Sequence, residues 1–506
     1  MDGMSKSFFF YDLETSGLLP ENPRIMQFAG QRTDENFRKI GDGVDVKIRL
    51  SEDVLPSPMA VLTTGITPQS TQVDGLTEAD FLEFFSEEID RPETIFLGYN
   101  TIRYDDEVMR RTLWRNFRDP YEWEWKNGNS RWDLLDVTRM IRALRPDGIK
   151  WPTSKKSGQM IANNRLENIS ALNNFAHEHA HDALSDVNDT IELAKLFREK
   201  QPEIFAKLLE IRDKTNVAKI TNSGAPFIYS SGRLSQEFAK TSIFVSLGAT
   251  ENSGILVWDL RYDPNDFAKM SVDELKRNLD VSWEERQKKT FVKLPIKELK
   301  INKCPAVLPL EYLDETGEKN IYLTKDKAEQ NFAKLKANRD LLYKIKDVFA
   351  KKSLRDRENF AKKNVDVEQK IYDGFFNEKD KSLIATVRNA TAEDLADHHP
   401  DFIDDRLGEL LLRYKARNFP KSLTADEKKQ YEAWRSDYLN KIAPKYFREL
   451  TWLEAIAQDL VPNFAKDSRE EKDFYRFKGW AGTREIDSFL LEELRLWAES
   501  IMPIDD

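Results

Sequence analysis

Two acids two residues apart, Asp12 and Glu14, follow the aromatic run Phe8-Phe9-Phe10-Tyr11. The run reads as a buried strand. Residues i and i+2 of a strand project from one face, roughly 6–7 Å apart along the chain. Two carboxylates that close repel and lose hydration, so they sit together best with cations between them. Their oxygens are hard donors suited to Mg²⁺ or Mn²⁺. The pair predicts a divalent-metal site where the first strand ends. The plainer alternative is a strand running into a polar turn, Thr15-Ser16-Gly17.

Further acids lie far along the chain. Asp105 follows the apolar strand pattern of residues 94–100, with Asp106 an equally acidic neighbour. Asp186 falls in a helical pattern, and His181 precedes it by five residues. On one continuous helix that spacing is about 140° around the axis, so the two would not share a face. The spacing fits better with His181 on the preceding turn and Asp186 on the helix. Two divalent ions held by such carboxylates stabilise the attacking and leaving oxygens of an in-line phosphoryl displacement. An imidazole titrating near neutrality can take the proton from the attacking water.

The surrounding pattern must deliver these groups. After the acidic strand, residues 26–33 and 44–50 alternate as two more strands of an antiparallel meander. Residues 61–69 form a tight, shaped loop after a short helix. Thr77 is a predicted N-cap, with Asp80 three residues on, and Phe81, Leu82, Phe84, Phe85 and Ile89 supply an apolar face. Helices are predicted from Asp105 to about residue 118, over 134–144, over 166–175 and over 182–200. Residues 147–158 read as a loop and 177–181 as a turn. Gln201-Pro202 reads as a stop. Together these give an α/β domain of about 190 residues. Beyond it come short β-type runs at 226–229, 243–247, 255–260, 291–294 and 296–301, a small barrel or sandwich with helices near 272–279 and 325–350. A charged boundary is predicted at 351–363. Helical patterns at 404–414, 424–438, 447–461 and 483–501 then predict an all-α domain.

Composition narrows the setting. A chain of 506 residues exceeds one core, so two to four domains are expected. No apolar run has the length of a membrane span, and the N-terminus lacks a signal-peptide layout. One cysteine, Cys304, excludes an intrachain disulfide and a cysteine-rich zinc site. A reducing, cytoplasmic setting is the expectation. Net charge is −10, which gives no overall attraction to nucleic acid. Residues 103–165 differ, with 14 lysines and arginines against nine acids and five of the 11 tryptophans. Cations that track phosphates and aromatic rings that stack on bases are what single-strand binding needs. Arg110, Tyr121, Trp125, Arg139 and Arg165 are the predicted contacts, Arg165 nearest the terminal nucleotide. Leu62 and Ile66 are candidates to wedge at a terminal base, or simply to pack.

Asp12-Leu13-Glu14-Thr15, then Asn100-Thr101-Ile102-Arg103-Tyr104-Asp105, then His181-Asp182-Ala183-Leu184-Ser185-Asp186 resemble the DEDD superfamily of 3′–5′ exonucleases. The final spacing marks its histidine-type subgroup. Leu62-Thr63-Thr64-Gly65-Ile66-Thr67-Pro68-Gln69, Ser130-Arg131-Trp132-Asp133-Leu134-Leu135-Asp136, Ile301-Asn302-Lys303-Cys304-Pro305 and Tyr372-Asp373-Gly374-Phe375-Phe376 are similar to the bacterial exodeoxyribonuclease I family. The resemblance implies an RNase H-like domain at 6–198, an SH3-like domain at 202–353 and a helical domain at 358–503. It implies two Mg²⁺ ions on Asp12, Glu14, Asp105 and Asp186, with His181 as general base and Glu14 and Arg165 at the terminal nucleotide. The implied activity is processive removal of 5′-mononucleotides from the 3′ end of single-stranded DNA, in repair and recombination. The implied partner is the C-terminal tail of single-stranded DNA-binding protein, with Arg145 as its contact, and a monomer is expected. The competing readings are the same chemistry on RNA ends and a non-catalytic recruiting module.

Overall fold

The computed structural model describes residues 6–19, 23–156, 158–175, 183–250, 254–286, 291, 293–361, 365–466, 468–482 and 486–503. The aromatic run forms β1 (Ser7–Thr15), which pairs antiparallel with β2 (Ile25–Thr33), and β2 pairs antiparallel with β3 (Val44–Lys47). On its other side β1 runs parallel to β4 (Thr94–Gly98), and β4 parallel to β5 (Ser130–Asp133). The sheet order is β3-β2-β1-β4-β5. Alternation along β1 splits its side chains. Phe9, Tyr11 and Leu13 enter one apolar cluster with Phe81, Phe85 and Trp123. Phe8 and Phe10 enter another, which includes Ala183, Val187 and Ile191 of the Ala183–Lys200 helix. Asp12 and Glu14 continue the Phe8–Phe10 face, so they point toward that helix.

Several local expectations meet their elements. Thr77 caps the Glu78–Phe84 helix by accepting from the Asp80 N–H, and the helix continues as a wider turn over Phe85–Ile89. Other expectations are corrected. Residues 147–158 are not all loop, because β6 (Thr153–Lys156) and β7 (Gln159–Ala162) form a hairpin. Gln201-Pro202 does stop the Ala183–Lys200 helix as expected, but helix rather than β-type runs follows it. Pro202 occupies the first turn of a new helix, Pro202–Ile211, where its missing N–H costs nothing. That helix and Lys214–Thr221 precede the β-rich domain.

The middle domain carries an antiparallel sheet ordered β11-β10-β9-β8-β12, from β8 (Phe227–Ser230), β9 (Thr241–Ala249), β10 (Gly254–Asp259), β11 (Ile296–Lys300) and β12 (Ala306–Pro309). The predicted run at 291–294 is not a strand among its described residues, and β12 was not anticipated. The long helical pattern breaks at Asn338 into Lys325–Ala337 and Arg339–Ala361, so helix crosses most of the predicted boundary at 351–363. One apolar cluster runs from Phe10 and Trp132 through Phe205 to Phe244 and Trp258, so the first two domains share a core. In the C-terminal region the patterns at 424–438 and 447–461 are one helix, Ala425–Ala457, which continues through Pro444. Among the described residues, no helix is long and apolar enough to cross a membrane.

Candidate active site

β4 pairs with β1 only as far as Phe10, so Asp12 and Glu14 lie beyond the shared ladder, at the carboxyl end of the parallel strands. A bulge between Glu14 and Thr15 turns the chain away. Asp186, in the first turn of the Ala183–Lys200 helix, meets them there. Asp12, Glu14 and Asp186 each present a carboxylate oxygen, all within 4.8 Å of one another. All three are half-buried. Asp105 is buried and begins the Asp105–Arg115 helix just after β4. Burial pushes the Asp12 carboxyl well above its ordinary value, and the charges of Asp105, Glu14 and Asp186 push it further. Asp105 is raised by burial, then by Asp106 and Glu14. The charges that weigh most on Asp12 are all negative. Such a set fits hard divalent cations, which relieve the repulsion and use every oxygen donor.

Asp106 is the acid with a structural duty. It accepts from the Tyr11 hydroxyl and pairs with Arg131. Asp105 presents no oxygen within the 4.8 Å group of Asp12, Glu14 and Asp186, but its charge raises Asp12 more than that of either other acid, which places it beside the nest. His181 lies outside the described residues.

The predicted strand contacts divide. Arg165 is well exposed, its side chain 74% accessible, beside Glu167. Trp125 is 64% exposed. Tyr121 is half-buried under the Arg110 guanidinium, 5.3 Å from the ring centre. Arg110 itself corrects the expectation, because it is buried between Glu107 and Glu124, at 2.6 Å from each. A guanidinium so paired has no free face for a phosphate. Arg139 pairs with Asp136, and its guanidinium lies against the Gly232 backbone of the middle domain, so it is a junction residue. Leu62 and Ile66 are half-buried, packed against the C-terminal helices. Arg145 bonds Asp314 at 2.9 Å and donates to the Tyr312 carbonyl.

The structure adds residues that sequence patterns did not flag. Trp125 and Tyr121 line a cleft of about 690 Å³ with Phe375, Arg118, Lys381 and Arg388. Phe375 is 97% exposed. Across the site, Arg103 and Arg139 face Gly232. Nearby in the middle domain, Lys293 and Arg233 act on Lys297, whose buried ammonium is lowered to about 8 by burial first and Lys293 next. No periodicity brings these together; the domain junction does.

The chain matches three family models: an exonuclease model over residues 9–194, the exonuclease I SH3-like domain over 212–351 and the exonuclease I C-terminal domain over 365–483. A Haemophilus influenzae exodeoxyribonuclease I is 38% identical over 92% of this chain and 96% of its own. The chain belongs to the exodeoxyribonuclease I family. Its architecture is that of the family, an RNase H-like α/β domain followed by an SH3-like domain and a helical one. Escherichia coli exonuclease I in complex with a dA16 oligonucleotide superposes with a TM-score of 0.86 at 30% identity, covering 98% of this chain and all of the other. A zinc-bound E. coli complex with single-stranded DNA superposes at 0.83 and 30% identity, over 98% of this chain and all of that one.

Proposed function

We propose that this protein degrades single-stranded DNA from its 3′ end to 5′-mononucleotides, by hydrolysis at two divalent cations held by Asp12, Glu14, Asp105 and Asp186. The observation that carries the reading is the convergence of Asp12, Glu14 and Asp186 within 4.8 Å, in surroundings dominated by negative charge. When bound, Mg²⁺ or Mn²⁺ would stabilise charge on the attacking and leaving oxygens. β1 holds Asp12 and Glu14 rigidly, and the Ala183–Lys200 helix brings Asp186 against them. His181 is assigned the proton of the attacking water, from its place five residues before Asp186.

Glu14 and the exposed Arg165 are assigned to the terminal nucleotide, with Leu62 and Ile66 at its base. The strand is assigned to the groove with Trp125, Tyr121 and Phe375 as stacking surfaces. The Arg103–Arg233–Lys297 side supplies cations. Arg110 and Arg139 hold the walls of that groove. Arg145 is assigned to the tail of single-stranded DNA-binding protein, in exchange for Asp314. A cytoplasmic monomer acting in repair and recombination fits these assignments.

The test is end-labelled single- and double-stranded DNA and matched RNA, with and without Mg²⁺. Mg²⁺-dependent release of mononucleotides from the 3′ end of single-stranded DNA is expected. Equal degradation of RNA, or release without metal, would overturn the reading.

A further inference from the structure

Asp105 reaches the nest at the end of an irregular segment. β4 stops at Gly98, where a Cβ would come within 2.6 Å of the Tyr11 carbonyl oxygen and 2.2 Å of Thr101 Cγ2. Asn100 then takes a left-handed conformation, φ 75°, and residues 101–103 form one 3₁₀ turn. Tyr104 has φ −127° and ψ −71°. Neither regular helix nor strand fixes these residues, so other groups must.

Asp133, the last residue of β5, is one of them. It is buried, 9% exposed, and sits opposite Gly98 in the parallel ladder. Its Oδ1 accepts from the Leu135 N–H at 2.8 Å, which caps the Leu134–Leu144 helix. A cap needs no more than that. Yet Oδ1 also accepts from the Asn100 N–H at 3.0 Å, and Oδ2 from the Ile102 N–H at 3.2 Å. One carboxylate thus grips both ends of the turn that leads to Asp105. From the other side, the Tyr104 hydroxyl lies 2.6 Å from Thr15 Oγ1 and donates to the Gly17 carbonyl. The turn is held between β5 and the segment just past Glu14.

We propose that Asp133 is a positioning residue: by clamping residues 100–102 it fixes where Asp105 sits and thereby sets the affinity of the nest for divalent cations. The proposal rests on the reading of that nest as a metal site. Neither Asp105 nor Asp133 presents an oxygen within the 4.8 Å group of Asp12, Glu14 and Asp186. Asp105, however, is the acid whose charge weighs most on Asp12, whereas Asp133 spends both of its oxygens on the N–H groups of Leu135, Asn100 and Ile102. Groups that orient metal ligands in this way are typically worth about 10–100-fold in metal affinity or activity.

Two substitutions separate the clamp from the cap and from charge. Asp133→Ser keeps a strong N-cap for Leu135, but its hydroxyl is too short to reach the Asn100 and Ile102 N–H groups. Asp133→Asn removes the charge, keeps the Oδ1 contacts to Leu135 and Asn100, and gives up only the Ile102 contact, because its amide nitrogen cannot accept. Mn²⁺ binding to the DNA-free protein is measured by electron paramagnetic resonance, beside the Mg²⁺ concentration for half-maximal nuclease activity and the thermal midpoint. Asp133→Ser is expected to weaken Mn²⁺ binding by about 10–100-fold and to raise the Mg²⁺ requirement by the same factor. Asp133→Asn is expected to lose clearly less. Wild-type Mn²⁺ affinity in a folded Asp133→Ser protein would overturn the proposal alone, and equal losses in both variants would overturn it in favour of a charge effect. Failure of the wild-type protein to bind Mn²⁺ at all would sink the metal reading, and the proposal with it.

Discussion

Two buried charged regions of this molecule are built on opposite principles. At the junction of the first and C-terminal domains, Arg24, Asp53, Glu368, Arg413 and Arg417 interlock. Arg417 bonds Asp53 and Glu368 at 2.7 Å each, Arg24 bonds Glu368 at 2.8 Å, and Arg413 bonds Glu368 at 3.0 Å. Burial opposes ionisation there, yet Arg24, Arg417 and Arg413 hold Glu368 well below the usual carboxylate range. In the acidic nest, neighbours of the same sign add to burial. In the first region every carboxylate is met by arginine, and Asp366 and Glu409 also close on Arg413, so the charges there answer one another and the region is architecture. The second leaves its balance to be completed from outside, and that is the physical mark of a site.

The largest effect should separate the two in activity. Asp186→Ala removes a carboxylate that would help stabilise several kcal/mol of transition-state charge, so nucleotide release should fall by about 10³-fold or more. Strand binding in Ca²⁺ should persist, and the thermal midpoint of the metal-free protein should not drop, since a repelling charge is gone. Steady-state kinetics, filter binding and calorimetry check the three parts.

Arg417→Ala should do the converse. It removes the nearest partner of Asp53, which keeps Arg24 at 3.6 Å, and one of the three arginines on Glu368. The cost in unfolding free energy should approach that of a broken buried pair, about 3–5 kcal/mol. The acidic nest is untouched, so turnover per folded molecule should survive. Denaturant unfolding beside active-site titration reads both.

The junction also predicts an acid limb. Burial raises the Asp53 carboxyl, but Arg417 and Arg24 bring it down to about 2. An unfolded aspartate titrates near about 3.9. The stabilisation is therefore complete above about pH 4 and is lost as pH falls toward about 2, about 2–3 kcal/mol in all. Asp53→Asn should flatten that limb of the stability–pH curve; an unchanged curve would remove Asp53 from the lock.

How much of this was legible beforehand follows from the range of the forces. β1 and the Thr77 cap depend on neighbours within a few residues, and the chain states them directly. Asp12 and Glu14 were visible as a same-face pair at the end of an aromatic strand, but a polar turn accounted for them equally until Asp186 was brought alongside. Gln201-Pro202 marked the end of one helix correctly, but the helix that follows went unread, because the same ring also suits the first turn of the next. The 153–162 hairpin hid because β6 has two lysines and no apolar residue, and β7 is only four residues long. Arg110 looked like an exposed cation because Glu124, one of the acids that bury it, lies 14 residues on, past a bend. Asp133 stood in the sequence only inside a motif; its cap and its grip on residues 100 and 102 exist only once β4 and β5 lie side by side.

The smallest effect belongs to the groove. Trp125→Ala should weaken single-strand binding by about 1–3 kcal/mol, the range for one base–aromatic stack, with little change in turnover at saturating DNA. Fluorescence anisotropy with a labelled oligonucleotide measures it. Arg110→Ala should instead lower stability, because it takes a buried partner from both Glu107 and Glu124, which keep Lys303 and Arg131.

The most direct measurement is anomalous scattering from crystals soaked in Mn²⁺. Strong peaks bounded by the carboxylates of Asp12, Glu14, Asp105 and Asp186 are predicted, lost in Asp186→Ala crystals. Manganese bound elsewhere with these four carboxylates bare would contradict the account.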